Sequence, residues 1–250
     1  MIKMEYIFIL IIGLLIGSFL NVCIYRIPRE ESISYPPSHC TSCGNNIKPY
    51  DLIPVISYIF FLKGKCRYCG EKISIRYPLI ELFTGIVFVL IYKYYGTSME
   101  FIKFAVLSCF LIAIGMIDFD TTDVYFKTTI SGIIVGIVFL VVYYFTGYNI
   151  GTYILGALIG GGFISLIILI TGGMGWGDAE ICFLAGLYLG WKLTLLMLFL
   201  SVILGAVIGV LLIAIKKKSR KDYIPFGPYI ALGAIIAAIW GDSILRWYLL

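Results

Sequence analysis

The chain has 250 residues, 61% of them hydrophobic and 13% charged, with a formal net charge of +5. A mean hydropathy of +1.01 excludes a water-soluble domain, because no single core hides so much apolar surface. The basic residues follow no one-sided stripe of the kind that binds phosphates, which excludes nucleic acid as the partner.

A helix needs roughly 20 apolar residues to cross the hydrocarbon layer, and such stretches recur at 6–25, 79–95, 101–117, 128–146, 152–171, 179–192, 194–215 and 227–249. The fold class expected is therefore an all-α integral membrane protein of about eight transmembrane helices. Tyr6 to Cys23 is too long for the core of a secretory signal, and no small-residue cleavage site follows, so it reads as a retained span. The sixth stretch is short and interrupted by Gly186 and Gly190, which hydropathy alone would demote to a half-membrane segment.

Residues 26–78 form the one sizeable polar segment, where Pro36, Pro37, Pro49 and Pro54 break any long helix. Three parts are thus expected: a first helix at 1–25, a loop module at 26–78 and a polytopic membrane region at 79–250. A module this small needs a staple. Cys40-Thr-Ser-Cys43 and Cys66-Arg-Tyr-Cys69, each followed by glycine (Gly44, Gly70), have the spacing of two metal knuckles. Four thiolates close a tetrahedral site, so a zinc ion held by Cys40, Cys43, Cys66 and Cys69 would be structural. The other choice, a pair of disulfides, is rare in a reducing compartment. Cys23, Cys109 and Cys182 fall within spans and read as small packing residues; His39, the single histidine, reads as solvated.

Eight of the 19 Lys and Arg lie between the first two spans, and five more in Lys216-Lys217-Lys218-Ser219-Arg220-Lys221. By the positive-inside rule both segments face the cytoplasm and the amino terminus lies outside. Residues 118–127 and 172–178 then fall on the cytoplasmic side as well. Gly156, Ala157, Gly160, Gly161 and Gly162 predict close helix packing in the fifth span.

Acidic residues at the ends of spans are costly and therefore informative. Ile117-Asp118-Phe119-Asp120-Thr121-Thr122-Asp123 closes the third span, and Gly172-Gly173-Met174-Gly175-Trp176-Gly177-Asp178 opens the sixth. Two carboxyls sharing one water do not both ionise easily, so one acts as acid while the other acts as base, which suits peptide hydrolysis without a bound metal. Gly175 and Gly177 would let the backbone bend at membrane depth beside Asp178. Asp120 and Asp123, taken alone, read as a solvated helix end. Serine or cysteine nucleophiles lack a neighbouring base.

These motifs together resemble the bacterial type IV prepilin peptidases, among the Gly-x-Gly-Asp intramembrane aspartyl proteases. The resemblance runs through Gly17-Ser18-Phe19-Leu20-Asn21-Val22, Tyr25-Arg26-Ile27-Pro28, both cysteine pairs, Arg76-Tyr77-Pro78-Leu79-Ile80-Glu81, Ile117-Asp118, Gly173-Met174-Gly175-Trp176-Gly177-Asp178 and Pro225-Phe226-Gly227-Pro228-Tyr229. It implies a multi-pass protein of the bacterial inner membrane that cleaves a short basic leader, after a glycine, from prepilin or pseudopilin substrates of type IV pili or type II secretion at the cytoplasmic face. It also implies Asp118 and Asp178 as the catalytic pair, with Asp120 in reserve. Many family members methylate the new amino terminus with S-adenosylmethionine, so a bifunctional enzyme is implied. Asn21, Arg26 and Glu81 are the polar candidates near the loop, though Arg26 and Glu81 equally read as an ion pair or as span-end anchors.

Two departures stand out: Tyr125 and Phe126 where many relatives have Pro-Asp, and Glu180 where a lysine is common. A lysine there would favour ionised Asp178, and Glu180 opposes it. The rival readings are a peptidase without methyl transfer and a non-enzymatic membrane scaffold or transporter, whose broken glycine-rich spans would line a solute path. Asp242 and Arg246 read as an ordinary helix pair.

Overall fold

A computed structural model of the chain describes residues 3–215 and 224–249; the basic cluster at 216–221 lies outside the described residues. The helices are α1 (Met4–Arg26), α2 (Arg76–Tyr95), α3 (Met99–Thr121), α4 (Phe126–Phe145), α5 (Gly151–Thr171), α6 (Trp176–Leu189), α7 (Trp191–Ala214) and α8 (Gly227–Leu249). Among the described residues the only β pairing is two isolated bridges, His39 with Asn46 and Lys65 with Lys72.

Seven of these helices are long and apolar enough to span a bilayer, which makes the chain a multi-pass membrane protein. The exception, α6, has 14 residues. At 1.5 Å per residue it measures about 21 Å, short of the ~30 Å hydrocarbon layer. It starts and stops earlier than the expected 179–192. Gly190, at φ +77°, closes it by donating its N–H to Gly186 O, and α7 follows at once. The third span also differs from expectation: α3 runs past residue 117 to Thr121, so Asp118 sits inside the helix. Thr122, at φ +58°, ends it.

The chain divides into two compact units, 1–101 and 102–250. In the first, α1 and α2 pack through glycine. A Cβ on Gly13 would stand 2.7 Å from Gly85 Cα, and one on Gly17 would stand 2.7 Å from Glu81 Cα. The intervening loop carries short turns at Ile27–Arg29, Pro49–Leu52 and Ser57–Phe61.

In the second unit α6 is the core helix. From Asp178 to Leu189 every residue except Glu180 and Phe183 is buried. Its closest neighbour is α5, where Gly156, Ala157, Gly160 and Gly161 are buried. A Cβ on Gly156 would stand 2.6 Å from Gly186 O, and Gly160 meets Cys182 O in the same way. Gly162 faces open space, so four of the five small residues make the packing face. The remaining helices turn large apolar side chains such as Leu158, Phe199 and Val210 outward, the surface a lipid solvent accepts.

Candidate active site and metal centre

Asp118 occupies the last turn of α3 and is 2% exposed; Asp178 occupies the first turn of α6 and is 4% exposed. The two carboxyls lie within electrostatic reach of one another. Asp120 and Asp123, a few residues from Asp118, are exposed. The structure thus separates a buried pair from two surface acids.

The backbone around the pair is built from short-range features. Gly175, extended at φ −81° and ψ 149°, precedes α6, and its carbonyl accepts the Asp178 N–H at 3.1 Å. No atom approaches a Cβ built on Gly175 within 4 Å, whereas one on Gly177 would stand 2.5 Å from Val124 Cβ. Gly177 therefore lets the turn after α3 close on α6, and Gly175 leaves open space beside Asp178.

One contact carries no signature in the spacing of charges: the Gly227 N–H, at the start of α8, donates to Asp118 Oδ2 at 2.9 Å. A helix start offers N–H groups without intrahelical partners, and here one of them orients the Asp118 carboxyl. The Pro225-Phe226-Gly227-Pro228 run was visible in the sequence, but its task was not.

Glu180 and Asp178, two positions apart on a helix, do not face each other. The Glu180 carboxylate instead accepts the Thr129 hydroxyl at 2.6 Å, linking α6 to α4. Tyr125 precedes α4, which opens at Phe126; the Tyr125 carbonyl accepts the Thr128 N–H at 2.8 Å. Arg246 meets Asp242 through the backbone carbonyl, at 3.1 Å, not through the carboxylate.

In the first unit the four loop cysteines converge, their sulfurs all within 4.8 Å of one another, as free thiols. They form a set that could hold a metal ion. The two knuckles repeat one hydrogen-bond scheme. Cys40 N–H donates to Asn45 O and Gly44 N–H to Cys40 O; Cys66 N–H donates to Glu71 O and Gly70 N–H to Cys66 O, all at 2.8–3.0 Å. Gly44 and Gly70 supply left-handed residues, at φ +71° and +73°, that only glycine adopts without cost.

Backbone N–H groups of Cys43 and Ser42 hold the Cys40 thiol down to about 6, while burial and the neighbouring thiols push the Cys69 thiol up to about 12. His39 is not in the set: its Nδ1 pairs with Pro37 O at 3.1 Å. Cys23 and Cys182 are buried and Cys109 is half-buried.

A buried acid steadies this loop. The Asp51 carboxylate takes a two-pronged bond from Arg67, Nε to Oδ2 at 2.8 Å and Nη2 to Oδ1 at 2.5 Å. That hydrogen bonding holds its carboxyl below the usual range. Glu81, on α2, accepts the Val55 N–H at 2.8 Å. Arg26, at the end of α1, donates to the carbonyls of Ser32 and Pro36 at 2.8 and 2.7 Å. The two do not form an ion pair with each other.

Comparison with known proteins agrees with this division. Residues 11–95 match the bacterial peptidase A24 N-terminal domain, and residues 105–210 match the type IV leader peptidase family. A Pseudomonas putida protein named prepilin leader peptidase/N-methyltransferase is 34% identical over 264 residues, covering 94% of this chain and 90% of its own. Proteins of the same name from Aeromonas salmonicida and Bacillus subtilis are 34% and 35% identical, each covering 96% of this chain and, respectively, 92% and 96% of their own. No solved structure matches. With both family regions present in order and relatives similar from end to end, the chain belongs to the type IV leader peptidase family.

Proposed function

We propose that the chain is an intramembrane aspartyl endopeptidase that removes the leader of prepilin or pseudopilin substrates and methylates the amino terminus so exposed. The observation that carries the peptidase reading is the burial of Asp118 and Asp178 in mutual reach, while Asp120 and Asp123 stay exposed.

Two buried carboxyls in one site share a proton. The ionised one takes a proton from water as the water oxygen attacks the scissile carbonyl carbon. The protonated one gives its proton to the departing amine nitrogen. Gly175 leaves room beside Asp178 for an extended substrate backbone, and the Gly227 N–H fixes the Asp118 rotamer.

Zinc is the ion we assign to the cysteine set. A tetrahedron of ~2.3 Å zinc–sulfur bonds has edges of about 3.8 Å, and Cys40 Sγ lies 3.8 Å from Cys69 Sγ. The basic loop at 26–78 points to a cytoplasmic orientation, and with it to a basic leader cleaved at that face of a bacterial inner membrane. S-adenosylmethionine is the methyl donor the reading calls for, since the relatives are named N-methyltransferases.

The test is incubation of detergent-purified protein with a prepilin-type substrate and S-adenosylmethionine, followed by intact mass. The parent should release the leader and add about 14 Da to the mature chain, a covalent mark of the kind described in. Asp118→Asn and Asp178→Asn should each abolish leader release. Release by either variant would remove that residue from the pair, and release without added mass would leave a peptidase alone.

A further inference from the structure

Helix α4 turns Ile134, Ile137, Val138 and Val141 outward, and its principal neighbour is α6. The residues it buries are Thr128, Thr129, Gly132, Gly136 and Tyr143, a face made largely of hydroxyls and glycines. In lipid, apolar burial does not draw helices together, so close packing and hydrogen bonds must hold such a face.

The glycines supply the packing. A Cβ on Gly132 would stand 2.9 Å from Leu184 Cδ1, and one on Gly136 would stand 2.6 Å from Leu187 Cδ2. Two side-chain hydrogen bonds join the same helices. Near the far end of α6, the Tyr188 hydroxyl donates to Gly132 O at 2.8 Å. Near the start of both helices, Thr129, which is fully buried, donates to the half-exposed Glu180 carboxylate at 2.6 Å. The Thr129 hydroxyl also stands 3.0 Å from Phe126 O within its own turn, so its contact across the helices is the shorter one.

That second bond closes a ring through the aspartates. From Asp118 the chain passes through the turn at 122–125 into Thr129, the hydrogen bond crosses to Glu180, and Asp178 lies two residues back along α6. Within the ring, Val124 of the turn meets Gly177, where a Cβ would stand 2.5 Å from Val124 Cβ. The links from Asp118 to Thr129 and from Glu180 to Asp178 are covalent, so the hydrogen bond is the joint that can open.

We propose that Glu180 and Thr129 are positioning residues for the peptidase: their bond holds the start of α6 against the α3–α4 turn and so sets the separation of the Asp118 and Asp178 carboxyls. The role rests on the reading of those aspartates as the reacting pair. It belongs to the hydrogen bond and not to the charge of Glu180, whose side chain does not face Asp178.

The experiment measures kcat and KM for leader release by the full detergent-purified chain acting on the prepilin-type substrate. Thr129→Val keeps the side-chain shape without the hydroxyl. It and Glu180→Ala should each lower kcat about tenfold, with KM moving by less than about twofold. Thr129→Ser and Glu180→Gln, which keep a donor and an acceptor, should hold kcat within about threefold of the parent. The double change Thr129→Val with Glu180→Ala should be no slower than the slower single change, because both break one bond. Tyr188→Phe removes the other α4–α6 bond and should leave kcat near that of the parent.

Parent-like kcat in Glu180→Ala overturns the role. So does Glu180→Gln as slow as Glu180→Ala, which would make the charge the cause, or a loss in Tyr188→Phe equal to that in Glu180→Ala, which would make it a general loosening of the helix pair. Because position 180 is half-exposed, Glu180→Ala keeps the test open if the buried Thr129→Val fails to accumulate. Release that needs both aspartates but ignores these changes sinks the positioning role alone. Release that survives Asp118→Asn or Asp178→Asn sinks the reading of the pair, and this role with it.

Discussion

Asp118 and Asp120 are two residues apart, yet one is buried and the other exposed. The cause is the continuation of α3 to Thr121: at about 100° per residue the two side chains point some 200° apart on the helix. Sequence chemistry alone supplied both as candidates, and resemblance preferred Asp118; the helix supplies a physical reason for the choice. Gly227 is the residue that spacing could not reach, because it lies 109 positions from the carboxyl it serves. A Cβ there would stand 2.5 Å from Asp118 Oδ2. Gly227→Ala should therefore displace the carboxyl and lower leader cleavage by about a hundredfold, the cost of a displacement near 1 Å, while the protein still accumulates in the membrane. Cleavage near the parent rate would show that the Asp118 rotamer tolerates the methyl group.

Among the elements, the cysteine loop was the most legible. Two C-x-x-C-Gly runs specify two turns, and the turns repeat one hydrogen-bond scheme down to their left-handed glycines. The bidentate Asp51–Arg67 pair was not legible, since nothing in spacing joins a residue before the second knuckle to one inside it. A strong chelator at neutral pH should loosen residues 39–47 and 65–73 and speed their amide exchange by at least about tenfold. The α5–α6 contact should stay protected. Unchanged exchange in the knuckles would mean that they hold without an ion.

The helix α6 was harder to read. Its glycines blur the hydropathy signal, and its true limits follow from Gly190 at one end and extended Gly175 at the other. The partner that Glu180 finds was invisible to local sequence, the Thr129 hydroxyl on α4.

At the scale of the whole molecule, composition alone reached the multi-pass all-helical architecture, because the apolar stretches are long and the polar segment is single. It could not reach the grouping of α1 with α2, which depends on Gly13, Gly17 and Gly85 meeting at close range. The orientation proposed from charge makes a direct prediction. With cysteine placed at exposed Ser32, in the loop between α1 and α2, or at exposed Thr97, just after α2, a membrane-impermeant maleimide should reach Thr97→Cys in intact spheroplasts. It should reach Ser32→Cys only after permeabilisation. The reverse pattern would invert the topology.

The brevity of α6 has a consequence for the bilayer itself. A helix bathed in lipid must match the thickness of its solvent or deform it. Enclosed on nearly every side by other helices, α6 has protein as its solvent and is released from that matching. Its 14 residues therefore need not cross the whole hydrocarbon layer, and Asp178 in its first turn need not stand at the headgroup level as the ends of the longer helices must.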